Sequence, residues 1–439
     1  MADAGQEPPR NKVMERMIPP GLGLRPPFPL DPEQGRILLL VGLAMTVNAY
    51  DQGLYGLALP QISAELNWPQ DELGSALGLA RLGVVPALAL AVLADTIGRR
   101  RLLMFTIVAT GIFAFLSAFA QTPEQFVAAQ FGVKFFAYGE EAIAIVMITE
   151  IIDTRLRGWA IGALAALAAL GNGLSAGLYG AVDVLPYGWR ALYVIGAVPL
   201  LLLAYLRRNL PETERYEAHK KAHDPVGNAV KNALQPLIIM VKTYPRRVLA
   251  LVAAVMPFGF ATTAAIIFNS TQLQTVHGFA PGDVSLIYVA GGTFAITGNL
   301  LAGRLSDKIG RRKTLAGAIS ICAISLAFLF GTVPGDIIIL AWIGAIFGLF
   351  AAEAIFNALG AELFPTSFRS TSSTLRVICY TAAGSAGLFF ESELYSFFGN
   401  HGEAMLVLLA TAPIAVLVVL FALPEPAGQE LEVVAPERI

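Results

Sequence analysis

Apolar residues run along the chain in blocks of about 20, the length that crosses about 30 Å of hydrocarbon at about 1.5 Å per residue. Twelve blocks stand out, at residues 37–60, 73–94, 102–120, 125–152, 158–183, 190–207, 248–271, 284–305, 314–331, 336–361, 371–397 and 404–423. Each predicts one membrane-spanning helix, and they are numbered here as spans 1 to 12. Six lie on either side of a longer polar stretch from Arg208 to Arg247. The pattern divides the chain into a tail at 1–35, a six-helix bundle at 36–208, a linker at 209–247, a second bundle at 248–424 and a tail at 425–439. The first 35 residues carry eight prolines and no long apolar run, so they read as a disordered tail. Within the linker, Val226–Lys242 reads as an amphipathic helix bracing the two bundles.

Composition agrees with the pattern. Of 439 residues 56% are hydrophobic and 14% charged, against about 25% charged in an ordinary soluble domain. Mean hydropathy is +0.64. This is the signature of an all-α polytopic membrane protein. With an N-terminus inside, 26 of the 30 Lys and Arg residues fall on the cytoplasmic side. Only Arg190 lies outside, and Arg81, Lys134 and Arg376 fall within spans. The asymmetry places both termini in the cytoplasm. A net charge of −2 excludes a nucleic-acid binder working through bulk electrostatics. Cys322 and Cys379 sit inside apolar blocks and suggest neither a disulfide framework nor a thiolate metal site. No P-loop is present, and no Ser–His–Asp or metal constellation falls within the spans, which counts against an ATP-driven pump and against an enzyme.

The two halves repeat one another. Leu93–Arg101 returns as Leu305–Lys313, at an offset of 212. The same offset carries Glu141 onto Glu353, Glu150 onto Glu362 and Arg157 onto Arg369. One register joining the loops after spans 2 and 8 to spans 4 and 10 indicates two equivalent halves, a common transporter architecture.

These motifs resemble the major facilitator superfamily over nearly the whole chain. Its loop signature, G-x-L-a-D-r-x-G-R-[RK], is met by Gly303–Arg312, with Asp307, Gly310 and Arg311 in place. The first copy holds Asp95, Gly98 and Arg99 but begins with Ala91 rather than glycine. Glu150–Gly158 is similar to the E-x-x-P-t-r-x-R-G motif ending span 4, with Asp153 for proline, and Ala361–Arg369 fits the span 10 counterpart. Pro211–Tyr216 and Pro424–Glu432 resemble the P-E-S-P-R and P-E-T-x-G motifs of sugar and organic-ion porters. The resemblance implies twelve helices in two pseudo-symmetric six-helix bundles. It also implies gating by Asp95, Gly98, Arg99, Glu150, Arg157, Asp307, Gly310, Arg311, Glu362 and Arg369. Such contacts would hold the cytoplasmic ends of the bundles together in one state and break in the other.

Ionisable residues within spans each cost about 2.5–3.5 kcal/mol on insertion scales and so require a reason. Counting from the helix ends puts Asp51 about 22 Å and Arg81 about 21 Å from the cytoplasmic side, a possible ion pair and proton switch. A span 1 aspartate in the context Tyr50–Gly56 resembles the proton-binding carboxylate of metabolite symporters. Glu140 and Glu141 are adjacent on span 4, and the repeat favours Glu141 as the one facing Glu353 across a cavity. Lys134 is expected to snorkel toward the outer interface. Arg376 lies about 10 Å into span 11, too deep for an interface anchor, and its fork suits a carboxylate. A span 11 arginine also resembles organic-anion carriers; a resting pair with Glu353 is the alternative.

Together these observations predict a secondary transporter without cofactor, a monomer in a bacterial inner membrane, importing a small organic anion or polar metabolite with protons. Asp51, Arg81, Glu141 and Glu353 are the candidate proton-coupling residues. Arg376, Glu140, Tyr50, Tyr55 and Phe356 are the candidate substrate contacts. The rival readings are a proton-driven exporter of lipophilic compounds, a sugar porter and a non-transporting sensor. Span 5 at Ala169–Gly177 is glycine-rich but lacks the proline of the drug-antiporter motif, which weighs against export.

Overall fold

Each apolar block folds as helix, and among the described residues there is no strand. The computed structural model describes residues 26, 28, 30–208, 226–331 and 335–427. The predicted tails up to residue 25 and from 428, the Pro211–Tyr216 motif and the side chain of Asp95 lie outside the described residues.

In the first half, α1 (Pro32–Leu57) and α2 (Leu59–Glu65) make span 1, and α3 (Gln70–Arg81) and α4 (Val84–Ile97) make span 2. Then α5 (Arg99–Ala118), α6 (Pro123–Ile151), α7 (Arg157–Tyr179) and α8 (Trp189–Arg207) are spans 3 to 6. Helix α9 (Val226–Thr243) occupies the linker. In the second half, α10 (Pro245–Thr271) runs into a π-helical turn at Gln272–Val276. It is followed by α11 (Pro281–Ile309), α12 (Arg311–Phe330), α13 (Gly335–Glu362) and α14 (Arg369–Phe398). Span 12 is α15 (His401–Leu409) with α16 (Ala412–Phe421).

The ends follow from local chemistry. Asp31 accepts from the amides of Glu33 and Gln34, and Pro32 at the first helical position lacks the N–H that would otherwise be orphaned. The helix therefore starts inside the predicted tail. Thr122 before Pro123 and Asn400 before His401 cap α6 and α15 in the same way. Gly98 and Gly310, at φ 111° and 99°, each connect two helices as a single residue. That backbone region is one that side chains with a Cβ rarely adopt. Span 2 breaks because Pro86 has no N–H, so the Leu82 carbonyl accepts from Val85 at 3.0 Å instead. Pro413 breaks span 12 similarly, and Ile414 donates to Thr411 at 3.0 Å.

Among the described residues, nine helices are long and apolar enough to cross a membrane. The three spans outside that set, 2, 4 and 11, carry Arg81, Lys134, Glu140, Glu141 and Arg376. The order is consistent with twelve spans. Large apolar side chains such as Leu286, Leu300, Leu340 and Phe421 are more than half exposed, as a lipid-facing surface requires.

The halves pack alike. Span 1 lies on span 5 as span 7 lies on span 11, and spans 3 and 4 pair as spans 9 and 10 do. Span 3 also meets span 6 as span 9 meets span 12. Between the halves, α3 packs on α14, α7 on α11 and α1 on α10. Helix α9 touches α4 of the first half and α10 and α14 of the second.

Candidate functional site

The halves are joined at one end. Ser75 N–H donates to Ser392 Oγ at 2.7 Å, and Ser270 Oγ to the Leu57 carbonyl at 2.7 Å. Gln61 donates to Gln274 Oε1 at 2.8 Å, Gln274 to Tyr179 Oη at 2.5 Å, and Tyr179 back to Gln61 Oε1 at 3.0 Å. His401 lies within hydrogen-bond distance of both Glu391 (2.6 Å) and Gln70 (3.1 Å), with Glu391 fully buried. Backbones approach closely here because the residues are glycines: a Cβ on Gly74 would lie 2.4 Å from the Leu388 carbonyl, and one on Gly78 3.0 Å from that of Ser385. At the other end, which carries the basic loops at 99–101 and 311–313, no hydrogen bond joins the halves among the described residues. Toward this end Glu353 and Asn357 stand exposed on α13 with Glu141 and Tyr138 of the other half within electrostatic reach of Glu353, which marks a cleft between the halves.

Polar groups from both halves converge on this cleft. Lys134, Tyr138 and Glu141 recur at helical spacing along one face of α6. Tyr138 donates to Gln52 Oε1 at 3.1 Å. Opposite stand Glu353 and Asn357, one turn apart and exposed on α13, and Arg376 and Tyr380, one turn apart on α14. Arg376 Nη2 donates to Asn357 Oδ1 at 2.5 Å. The charge of Glu353 acts on Glu141 and on Tyr138, both in the other half, so Glu353 faces the cleft rather than lipid. The repeat-based choice of Glu141 over Glu140 agrees with this placement.

Several expected contacts are absent. Asp51 and Arg81 form no ion pair. Asp51 is buried with Oδ2 lacking a partner, and Lys134 is the cation whose field acts on it. Lys134 does not snorkel outward; it is buried, with Nζ 4.7 Å from the centre of the Tyr55 ring. Arg81 leans toward the other half, its guanidinium carbon 5.8 Å from the centre of the Tyr380 ring. Arg376 is not ion-paired with Glu353.

Glu140 is not a cleft residue. It pairs with Arg207 at 2.6 Å and accepts from Asn48 at 3.1 Å, in the interior of the first half. Arg207, counted from sequence among the cytoplasmic charges, is fully buried and also donates to the Leu40 and Val41 carbonyls. Tyr50 turns toward span 6, donating to the Leu192 carbonyl at 2.9 Å with its ring against Gly196. Tyr55 donates to the Leu77 carbonyl at 3.3 Å and stacks on Phe126, while Phe356 packs on Phe258. These aromatics are buried packing groups. Gln52, Tyr138, Asn357 and Tyr380 were missed; the last three stand at i+4 from a charge already singled out.

At the basic end the repeat extends to side-chain contacts. Arg99 pairs with Glu150 at 2.6 Å, and 212 residues on Arg311 pairs with Glu362 at 2.8 Å. Arg311 also binds Asp307 at 2.6 Å and the Ser306 hydroxyl. Arg100 donates to the Arg208 carbonyl, and Arg312 to that of Val419 at 3.2 Å. Glu425 accepts from the amides of Arg311 and Arg312 at 2.8 and 3.0 Å, where the helix dipole favours an anion. Arg157 donates to the Ile152 carbonyl at 3.4 Å, while Arg369 Nε has no partner. All these contacts lie within one half. Among the described residues, the Arg99–Glu150 and Arg311–Glu362 pairs each brace one bundle.

Comparison with known proteins agrees with this architecture. The chain is 29% identical over 352 residues to a probable 4-methylmuconolactone transporter of Cupriavidus pinatubonensis, covering 77% of this chain and 79% of that one. It is 28% identical to a cis,cis-muconate transport protein of Acinetobacter baylyi, covering 76% and 81%. A 4-hydroxybenzoate transporter of Pseudomonas putida is 24% identical, over 88% and 92%. Among solved structures, a D-xylose–proton symporter superposes with a TM-score of 0.73 at 17% identity, covering 90% of this chain and 98% of that one. Residues 41–388 and 249–437 match the Major Facilitator Superfamily, and with its paired halves and central cleft the chain belongs to that family of membrane transporters.

Proposed function

We propose that the protein imports a small organic carboxylate together with protons, by alternating access between the cleft seen here and one open at the opposite end. The observation that carries this reading is Arg376. Its guanidinium lies in the cleft, bonded to the neutral amide of Asn357 and paired with no carboxylate among the described residues. A planar, permanently charged fork held that way suits a carboxylate ligand. Relatives named for cis,cis-muconate and 4-hydroxybenzoate support the class, since both are carboxylates on an unsaturated frame. With the basic loops in the cytoplasm, the present cleft faces inward and both termini lie on the cytoplasmic side of a bacterial inner membrane. The protein works as a monomer, since each chain holds a whole cleft.

Asp51 is the proposed proton carrier, with Glu141 and Glu353 assisting. It is buried, holds an unpartnered oxygen and sits in the field of Lys134. Loading or releasing a proton there changes the charge balance beside Tyr138 and Arg81. Gly53 and Gly171 bring α1 and α7 close on the far side of the same helix, so a shift at Asp51 is passed to span 5.

Uptake into proteoliposomes under an imposed pH gradient tests both assignments. Arg376→Gln should weaken 4-hydroxybenzoate transport about tenfold or more, the scale of one lost charge-assisted hydrogen-bonded contact. Asp51→Asn should lose gradient-driven accumulation while retaining exchange of labelled for unlabelled substrate. Full accumulation in Asp51→Asn would remove it as the proton carrier. Uptake of xylose or a lipophilic cation, with none of carboxylates, would move the assignment to a sugar porter or an exporter.

A further inference from the structure

Arg81 is the one cleft cation that the carboxylate reading leaves without work. It ends α3, directly at the break made by Leu82 and Gly83. Its Nε is shielded from solvent and has no hydrogen-bond partner, and the side chain forms no ion pair among the described residues. Asp51, expected to neutralise it, is turned toward Lys134. A half-buried guanidinium with its donors unused is costly in a membrane unless a ligand completes it. The side chain is aimed across the gap between the halves, over the ring of Tyr380.

Tyr380 lies one turn from Arg376 on the same helix face, and its field reaches Arg376. The two arginines therefore flank one tyrosine, one from each half of the molecule. Their relative depth follows from the glycine contact above them, where Gly78 meets the Ser385 carbonyl. From that level Arg81 lies about 4.5 Å and Arg376 about 13.5 Å toward the basic end, so their Cα atoms differ in depth by about 9 Å. Both side chains are long enough to close part of that distance. Tyr138 lies within electrostatic reach of both Arg81 and Tyr380 and donates to Gln52, while Asn357 accepts from Arg376.

We infer that Arg81 is a second carboxylate anchor, and that the preferred substrates are elongated dicarboxylates held end to end between Arg81 and Arg376. This rests on the carboxylate reading and narrows it. One charged end would sit on each half, so a dicarboxylate ties the halves together where a monocarboxylate engages only one. Glu141 and Glu353 line the same space, so a second cation at Arg81 offsets the repulsion that their carboxylates exert on a dianion.

The test compares two ligands that differ by one carboxylate on the same ring. Binding of benzoate and of terephthalate to the full chain in detergent is measured by calorimetry at pH 7. The wild type should bind terephthalate about tenfold or more tightly than benzoate. Arg81→Gln should lower terephthalate affinity by that factor and bring the ratio of the two ligands close to one. Arg81→Lys, which keeps the charge but not the fork, should fall between. Equal affinity for the two ligands in the wild type overturns the inference without using any variant, as does a ratio that survives in Arg81→Gln. Failure of both ligands to bind overturns the carboxylate reading itself, and this inference with it.

Discussion

Glu140 and Glu141 are neighbours in the chain, and on α6 they point about 100° apart. Glu141 faces the cleft, where it feels Glu353 of the other half. Glu140 faces inward to Arg207, and both members of that pair are withdrawn from solvent. Removing one partner of a buried ion pair leaves the other charge uncompensated, at a cost of about 3–5 kcal/mol. Glu140→Gln is thus expected to lower the midpoint of thermal unfolding in detergent substantially, whereas Glu141→Gln leaves that midpoint near wild type and acts on transport. An equal loss of stability from the two would show that the carboxylates are not divided in this way. Arg207→Met combined with Glu140→Leu should recover much of the loss, since neither charge is then left alone.

Single residues also decide how the helices join. Gly310 links α11 to α12 at φ 99°, with Glu425 directly beside it: a Cβ there would lie 2.6 Å from Oε2. Gly303, seven residues earlier in the same signature, has open space around it. Gly310→Ala should cost about 1–3 kcal/mol through backbone strain and disturb the Glu425 cap, while Gly303→Ala should be neutral or slightly stabilising. Melting curves of the two variants side by side check this. The glycines of one motif therefore have different reasons: one is set by backbone conformation, the other has none that this state of the molecule reveals. Proline acts at the same level of organisation. Pro86 and Pro413 break spans 2 and 12, yet Pro199 and Pro257 are carried inside continuous helices.

For the molecule as a whole, the contact between α3 and α14 holds one end shut. Gly74 and Gly78 face Glu391, Leu388 and Ser385 there with no room for a side chain. Gly74→Val should push the halves apart at this end and, in the proposed cycle, favour closure of the basic end. Asn357→Cys, in a chain whose Cys322 and Cys379 are replaced by alanine, reports on the cleft through its rate of labelling by a water-soluble thiol reagent. Adding Gly74→Val should slow that labelling, and an unchanged rate would mean that this contact does not hold the state. His401, Glu391 and Gln70 belong to the same seal and join elements distant in sequence.

The all-helical membrane class, the two-fold repeat and the family were legible from the residues, because lipid imposes block length directly on sequence. The repeat reached further still. Its offset of 212 predicted the equivalence of Glu150 and Glu362, and the Arg99–Glu150 and Arg311–Glu362 pairs obey it. Position along each helix axis was legible too, since rise per residue fixes it. Rotation about each helix axis was not. Which way Tyr50, Glu140 and Arg81 face depends on neighbours on other helices, 67 residues away for Glu140, 142 for Tyr50 and in the other half for Arg81, and counting along one chain carries no information about them. The placement of Asp51 in the field of Lys134 rather than of Arg81, the burial of Arg207 and the end at which the halves touch were set by packing alone, because each is a property of several helices together.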